Sequence, residues 1–308
     1  MKKWYYKSEK EFFKWAILFI VWFSPMVELK AQSVYQVATQ TFKESKNWNQ
    51  GDTLKVIGEK SSIKIQSWNK NVIEVEIKFV SKHPEKAIAL SELSYLHYNF
   101  ESFEKLFVLN NYFQSNDKYQ KVRGVLIVEY IIKVPIYCPI KLENQYGSIQ
   151  IKNLDSDISI ISKFTDVNLF DTKGYLKLLT TFGKVNLEKH DGDIQFETNR
   201  TDVVGAQLNS NISGTAFYGQ ILFDQDFRRN IVISAKRTAV NIVLADAIEA
   251  YNFELQSLFG EVLIPDKLGE SHKSKFEKSG DYADTKISIN TTHSNINIQS
   301  KVKEYVKN

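Results

Sequence analysis

The chain has 308 residues, of which 43% are hydrophobic, 13% aromatic and 25% charged, with a formal net charge of +4. Six lysines and three glutamates precede Gln32, a net of three positive charges, so the remainder carries only +1. That balance argues against nucleic acid as a partner, which needs clustered basic residues, and the single cysteine, Cys138, rules out an intrachain disulfide or a cysteine-based metal site.

The opening "MKKWYYKSEKEFFKWAILFIVWFSPMVELKAQ" has a basic start, an apolar run from Trp15 to Phe23, then Pro25 and a polar stretch ending at Ala31. The run is far shorter than the ~20 residues that cross a bilayer. Residues 1–31 therefore read as a signal peptide, which implies export to the periplasm or to the cell surface and outer membrane. No later stretch is long and apolar enough for a transmembrane helix.

Residues 33–140 read as an N-terminal, β-rich capping region. "TLKVIGEKSSIKIQSW" and "VIEVEIKFV" alternate apolar and polar residues, and the intervening "NKN" at Asn69 to Asn71 supplies turn residues, so the pair is expected to form a hairpin. "HPEKAIALSEL" predicts one short helix beginning after Pro84. In "SYLHYNFESFEKLFVLNNYFQSND" the alternation suits two core strands separated by turn residues at Asn110 and Asn111. "VRGVLIVEYIIKVPIYCPIKLEN" gives an apolar strand that ends at Pro135 and Pro139, because proline cannot donate to a sheet ladder. Cys138 lies among apolar residues and reads as a small buried hydrophobe.

From residue 141 to 300 one phrase recurs: "YGSIQI" at Tyr146, "FGKVNL" at Phe182, "YGQILF" at Tyr218 and "FGEVLI" at Phe259. Intermediate forms such as "SDISII", "TDVNLF" and "DGDIQF" fall between, so a strand begins about every nine residues and two strands make a coil of about 18. This pattern predicts an all-β fold whose C-terminal part is a β-solenoid (parallel β-helix-like). Ile149 and Ile151, Val185 and Leu187, Ile194 and Phe196, Ile221 and Phe223, Val262 and Ile264, and Ile296 and Ile298 share the buried face. Ser148, Lys184, Asp193, Gln220, Glu261 and Asn295 face water. The glycine is expected to supply a positive φ at each corner and to let neighbouring coils approach, and the aromatic before it to stack on its counterpart in the next coil. "KLGESHKSKFEKSGDYADTK" reads as a loop.

The stretch from "VPIYCPIKLENQYGSIQI" to "KHDGDIQF", together with "DTLKVIGEKSSIKIQSW" and "EVEIKFVSKHPEKAIAL", resembles the DUF4097 group of adhesin-like domains found in Bacteroidetes. The resemblance implies a β-solenoid domain and an adhesive role at the bacterial cell envelope, with no catalytic residues.

The residues themselves carry little chemistry. Histidines 83, 97, 190, 272 and 293 show no metal-ligand spacing. Asn153, Asp155 and Asp157 alternate as in a calcium loop, but Gly is missing at the sixth position and Phe164 stands at the twelfth. Asp157, Asp166, Asp191 and Asp193 lie near strand starts, where a polysaccharide-active β-helix enzyme would need facing carboxylates; capping of backbone amides and pairing with Lys184 or Lys189 explain them as well. The expectation is therefore an exported non-catalytic adhesin-like structural or binding protein without metal or cofactor, its partner a glycan or an envelope protein. Lys184, Gln220 and Glu261 are the candidate contact positions. The alternatives are the polysaccharide-active enzyme and a periplasmic envelope sensor or assembly factor.

Overall fold

Alternation with a period of two asks for strands that bury one face, and the computed structural model shows such strands wound into a solenoid. It describes residues 34–115, 121–264, 274–279 and 285–302; the expected signal peptide, most of the expected loop at 267–286 and His272 lie outside them. In chain order the N-terminal elements are β1 (Gln36–Asn47), β2 (Thr53–Trp68), β3 (Val72–His83), α1 (Lys86–Glu92), β4 (Leu96–Phe103), β5 (Leu106–Phe113) and β6 (Val125–Pro135). The repeated coils are β7 (Ile140–Asp155), β8 (Ile158–Lys173), β9 (Leu176–Asp191), β10 (Ile194–Leu208), β11 (Ile212–Gln225) and β12 (Ile231–Leu244). Shorter strands follow: β13 (Asn252–Leu258), β14 (Val262–Leu263), β15 (Lys275–Lys278), β16 (Lys286–Thr292) and β17 (Ile296–Ser300).

From β7 to β10 each residue pairs in parallel with the one 18 positions on, as in Ile140 with Ile158, Ile158 with Leu176 and Leu176 with Ile194. The same step continues into β11 until a bulge between Gly205 and Leu208, and the step into β12 is one residue longer. Each coil is one long bent strand that turns at a left-handed residue. Its two halves send alternate aliphatic side chains inward, and Val185, Ile194 and Ile221 are all buried.

The corner meets expectation in part: Gly147 and Gly219 do have positive φ, 143° and 140°, but a left-handed residue precedes each glycine. The left-handed residue is the aromatic itself or its equivalent, with φ of 61° at Tyr146, 52° at Phe164, 55° at Phe182 and 57° at Tyr218. The following glycine serves close approach: a Cβ at Gly147 would lie 2.0 Å from the Ser61 carbonyl oxygen, and one at Gly183 2.3 Å from that of Thr165. Along the stack this position reads Ser61, Gly147, Thr165, Gly183, Thr201, Gly219, Thr238, so glycine occurs in every second coil. That explains a phrase repeating at 36 residues on an 18-residue coil. Each hydroxyl in the series donates across the corner to the carbonyl two residues back: Ser61 to Glu59 (3.0 Å), Thr165 to Lys163 (3.1 Å), Thr201 to Asn199 (3.1 Å) and Thr238 to Lys236 (3.2 Å). The bond offsets part of the cost of a left-handed non-glycine residue, roughly 1–2 kcal/mol.

At the N-terminal end the expected β2–β3 hairpin is not formed. β2 pairs in parallel with β7, Leu54 with Ile140 and Ile65 with Ile151, and so continues the ladder as a further coil. The other edge of β2 is covered by β5 along its first half and by β6 along its second, while β3 lies between β1 and β6 in antiparallel pairing. Alternation gave β2 and β3 as strands, but partner choice followed the match between β2 and the coil pattern. β4 and β5 form the expected strand pair, turning at Glu104–Lys105 rather than at the asparagines, but only Leu96 of β4 is buried. Asn111 instead lies within β5, buried, where β2 passes from β5 to β6. Its Oδ1 accepts from Tyr130 OH (3.1 Å) and lies 2.9 Å from Ser61 Oγ, and its Nδ2 donates to the Glu59 carbonyl (2.9 Å). Burial holds the Tyr130 phenol well above its usual pKa, so it remains a donor.

The C-terminal end breaks sequence order. β16 and β17 pair with β12 on one side, Ile231 with Ile287 and Val240 with Ile296. On the other side they pair with β13 and β14. The last described coil is thus wedged between two coils that precede it in the chain, and β15 lies antiparallel on the far edge of β13. Ile287, Ile289, Ile296 and Ile298 are buried there, and Lys301 Nζ reaches Asp224 and Asp226 at 2.6 Å each.

One inward row reads Leu154, Thr172, His190 and Leu208 on successive coils. His190 is 1% exposed, with Nδ1 2.9 Å from Thr172 Oγ1, and burial pushes its pKa down to about 4. The unfolded chain, near 6.5, binds the proton that the folded chain excludes, so stability rises with pH between about 4 and 6.5 and falls on acidification through that window.

Three outcomes are expected. His190→Leu, which matches Leu154 and Leu208, should flatten the fall in urea-unfolding stability between pH 6.5 and 4, worth up to about 3 kcal/mol in the parent. Gly147→Ala should cost about 2 kcal/mol or more by the same assay, against about 1 kcal/mol for Thr165→Ala, which loses hydroxyl contacts to Lys163 and Asn144 but introduces no clash. On oxidation, Ser234→Cys with Asn290→Cys should crosslink, because these residues are direct partners, whereas Ser234→Cys with Gln256→Cys should not, because Asn290 lies between them.

Candidate functional site

The left-handed corner residues align into a continuous ladder on the solenoid surface. From the N-terminal end it runs Lys60, Tyr146, Phe164, Phe182 and Arg200, then Tyr218, Arg237, His293 and Phe259. Tyr146 stacks on Phe164 with centroids 5.0 Å apart and planes 3° from parallel, and Phe164 on Phe182 at 4.7 Å and 6°. The Arg200 guanidinium then lies 5.2 Å from the Phe182 centroid and 5.6 Å from that of Tyr218, and Arg237 lies 5.5 Å from Tyr218. Phe259 meets His293 at 4.8 Å. Stacking on the neighbouring coil is therefore as expected, with arginine replacing a ring in alternate coils beyond Phe182. Because ring faces are occupied by neighbours, the ladder presents mainly ring edges and guanidinium groups outward.

Beside the ladder, on the outward face of the first half of each coil, runs a shallow trough. Two adjoining cavities of about 710 and 500 Å³, which share Leu179 and Glu197, extend it from β2 to β16. Eight stacked coils at ~4.8 Å give a length of roughly 34 Å. Ile57, Ile161, Leu179 and Phe217 supply apolar surface, with Ile161 50% and Phe217 44% exposed. Gln145, Thr181, Asn199, Thr215 and Asn290 add amides and hydroxyls. Just inside the wall, Asn144 Oδ1, Ser162 Oγ and Thr180 Oγ1 are buried on three successive coils without a hydrogen-bond partner.

Three carboxylates, Glu59, Glu143 and Glu197, line the trough. Glu143 is bound to Lys55 at 2.7 Å. Glu197 lies three coils further on, roughly 14 Å along the axis. Paired glycosidase carboxylates stand about 5–9.5 Å apart.

The residues singled out from sequence lie elsewhere. Lys184, Gln220 and Glu261 are exposed on the second half of their coils, and their backbone N–H groups donate to Asp166, Asp202 and Asn295 at 3.0 Å each. Lys184, Gln220 and Glu261 fall in one row, Gln220 two coils from Lys184 and Glu261 three coils beyond Gln220, so they are spread along the axis rather than gathered. Asp157 and Asp166 accept backbone N–H groups of the next coil, from Tyr175 and Lys184, while Asp191 and Asp193 accept from Asn209 and Asn211 side chains, all within 2.9–3.0 Å. These carboxylates couple coils, and Lys189 lies over the Phe170 ring rather than closing an ion pair in that set. Asn153 is itself a left-handed corner residue, with φ of 56°. Among the described residues no three His, Cys, Asp or Glu side chains gather to hold a metal. His97 stacks on Tyr112, and His83 Nδ1 accepts from the Glu85 amide. Cys138 is buried, and burial pushes its thiol pKa up to about 12, which leaves it without thiolate character.

The apolar trough residues were missed by sequence reading, although a signal existed. In "ISIIS" and "LKLLT" two aliphatics stand in succession, and the second of each, Ile161 and Leu179, must point outward if the first is buried.

No family model matches the chain, so membership of the DUF4097 group does not follow from its resemblance, and no curated protein matches it. Solved structures with likeness to it include a candidate adhesin from Parabacteroides merdae (8% identity, 87% of this chain and 97% of that one, TM-score 0.42). Another is a candidate adhesin from Bacteroides fragilis (12%, 84% and 97%, TM-score 0.38). A third is a candidate cell adhesion protein from Clostridium sporogenes (15%, 85% and 100%, TM-score 0.28). Likeness at these values assigns no function to this chain. Among its described residues no helix is long and apolar enough to cross a membrane.

Proposed function

We propose that the chain is an exported, non-catalytic, adhesin-like binding protein of the bacterial cell envelope. The observation that carries this reading is the trough, which runs beside an in-register ladder over eight coils and presents repeated contacts to one extended partner. A parallel ladder with stacked corners is stiff, which suits a scaffold that holds contact points at fixed spacing. The basic and apolar N-terminal segment supports export. The ion pair of Glu143 with Lys55 favours binding over glycoside hydrolysis.

Location separates this reading from a periplasmic sensor or assembly factor. Protease added to intact cells is expected to remove the protein. Survival until the outer membrane is permeabilised would favour the periplasmic role.

A further inference from the structure

The trough has a chemistry that narrows its occupant. It lies on the face of a parallel sheet, where the backbone N–H and C=O groups of β7 to β12 are spent on neighbouring coils. An extended peptide could not add there as a strand, because strand addition needs a free edge. Its own backbone groups would meet only side chains. A polysaccharide has no such requirement: its hydroxyls give and accept hydrogen bonds around the ring, and its C–H faces pack on apolar side chains.

The side chains match those two needs. Ile161, Leu179 and Phe217 offer apolar platforms on separate coils, and Gln145, Thr181 and Asn199 alternate with them as donors and acceptors. Charge excludes a polyanion. Glu59 and Glu197 line the trough with Lys163 and Lys177 and balance them, and Glu143 is neutralised by Lys55, so no positive surplus awaits uronate or phosphate groups. The ladder is a poorer platform, since Phe164 has a ring stacked on each face.

We propose that the trough binds an uncharged, extended polysaccharide lying parallel to the solenoid axis, with successive sugars on successive coils. The assignment rests on the binding role proposed above and names the class of partner. A sugar in an extended β-linked chain advances by a length close to the coil spacing, so one chain meets the same rows repeatedly. Affinity then grows with chain length until the trough is filled.

Calorimetric titration of the full-length chain with cellohexaose, mannohexaose and laminarihexaose, and with polygalacturonate, tests this. At least one neutral hexasaccharide is expected to bind saturably and about tenfold more tightly than its trisaccharide, with polygalacturonate weaker. Ile161→Ser and Phe217→Ser, both at exposed positions, should each weaken that binding about tenfold or more. Leu222→Ser, 41% exposed on the other half of its coil, should leave it unchanged. Absence of saturable binding to all three neutral hexasaccharides, tighter binding of polygalacturonate, or equal loss in Leu222→Ser would each overturn the proposal. A chain that protease removes from intact cells yet fails these titrations would sink the polysaccharide assignment alone and leave the envelope role standing.

Discussion

The constraint on which this molecule depends is the constancy of the hydrogen-bonded step between coils. Once each residue pairs with the one 18 positions on, every chemical choice at one position is repeated directly above and below. Aliphatics form continuous inner rows, the left-handed residues form the surface ladder, and aspartates and asparagines reach the amides of the next coil. A single misplaced residue would shift the whole row, so register and composition enforce each other.

The corner shows how little slack the arrangement has. Left-handed conformation at Tyr146, Phe164 or Phe182 is unfavourable in isolation; ring stacking supports all three, and at Phe164 the Thr165 hydroxyl bond across the bend adds to it. Alternating threonine with glycine then lets one coil keep its hydroxyl while the next yields space to a carbonyl. The resulting edge is both the stiffening element and one border of the trough.

Much of this was legible in the residue pattern. Period-two alternation identified the buried positions, since Val185, Ile194, Ile221 and Ile296 are inward as expected, and Pro84 and Pro135 mark the helix start and a strand end. What could not be read was partner choice. Alternation in β2 and β3 defines strands but not neighbours, and the turn-like "NKN" invited a hairpin that the stronger match of β2 to the coil pattern displaced. The ligand-facing side was obscure for a related reason: outward rows are assembled from residues 18 apart, so Ile161 and Leu179 become adjacent only after winding. Asn111, read as a turn residue, is instead the polar plug where two strands meet one.

The wedged position of β16 and β17 has a consequence for biogenesis. These strands leave the ribosome after β13 and β14, yet they must come to rest beneath them. Winding can advance in chain order from β7 to β12, but the distal tier cannot close until β16 and β17 are in place. Without the segment from Lys286 onward, the edges of β12 and β13 that β16 covers would be unsatisfied, so closure of this tier waits on a segment that follows both in the chain.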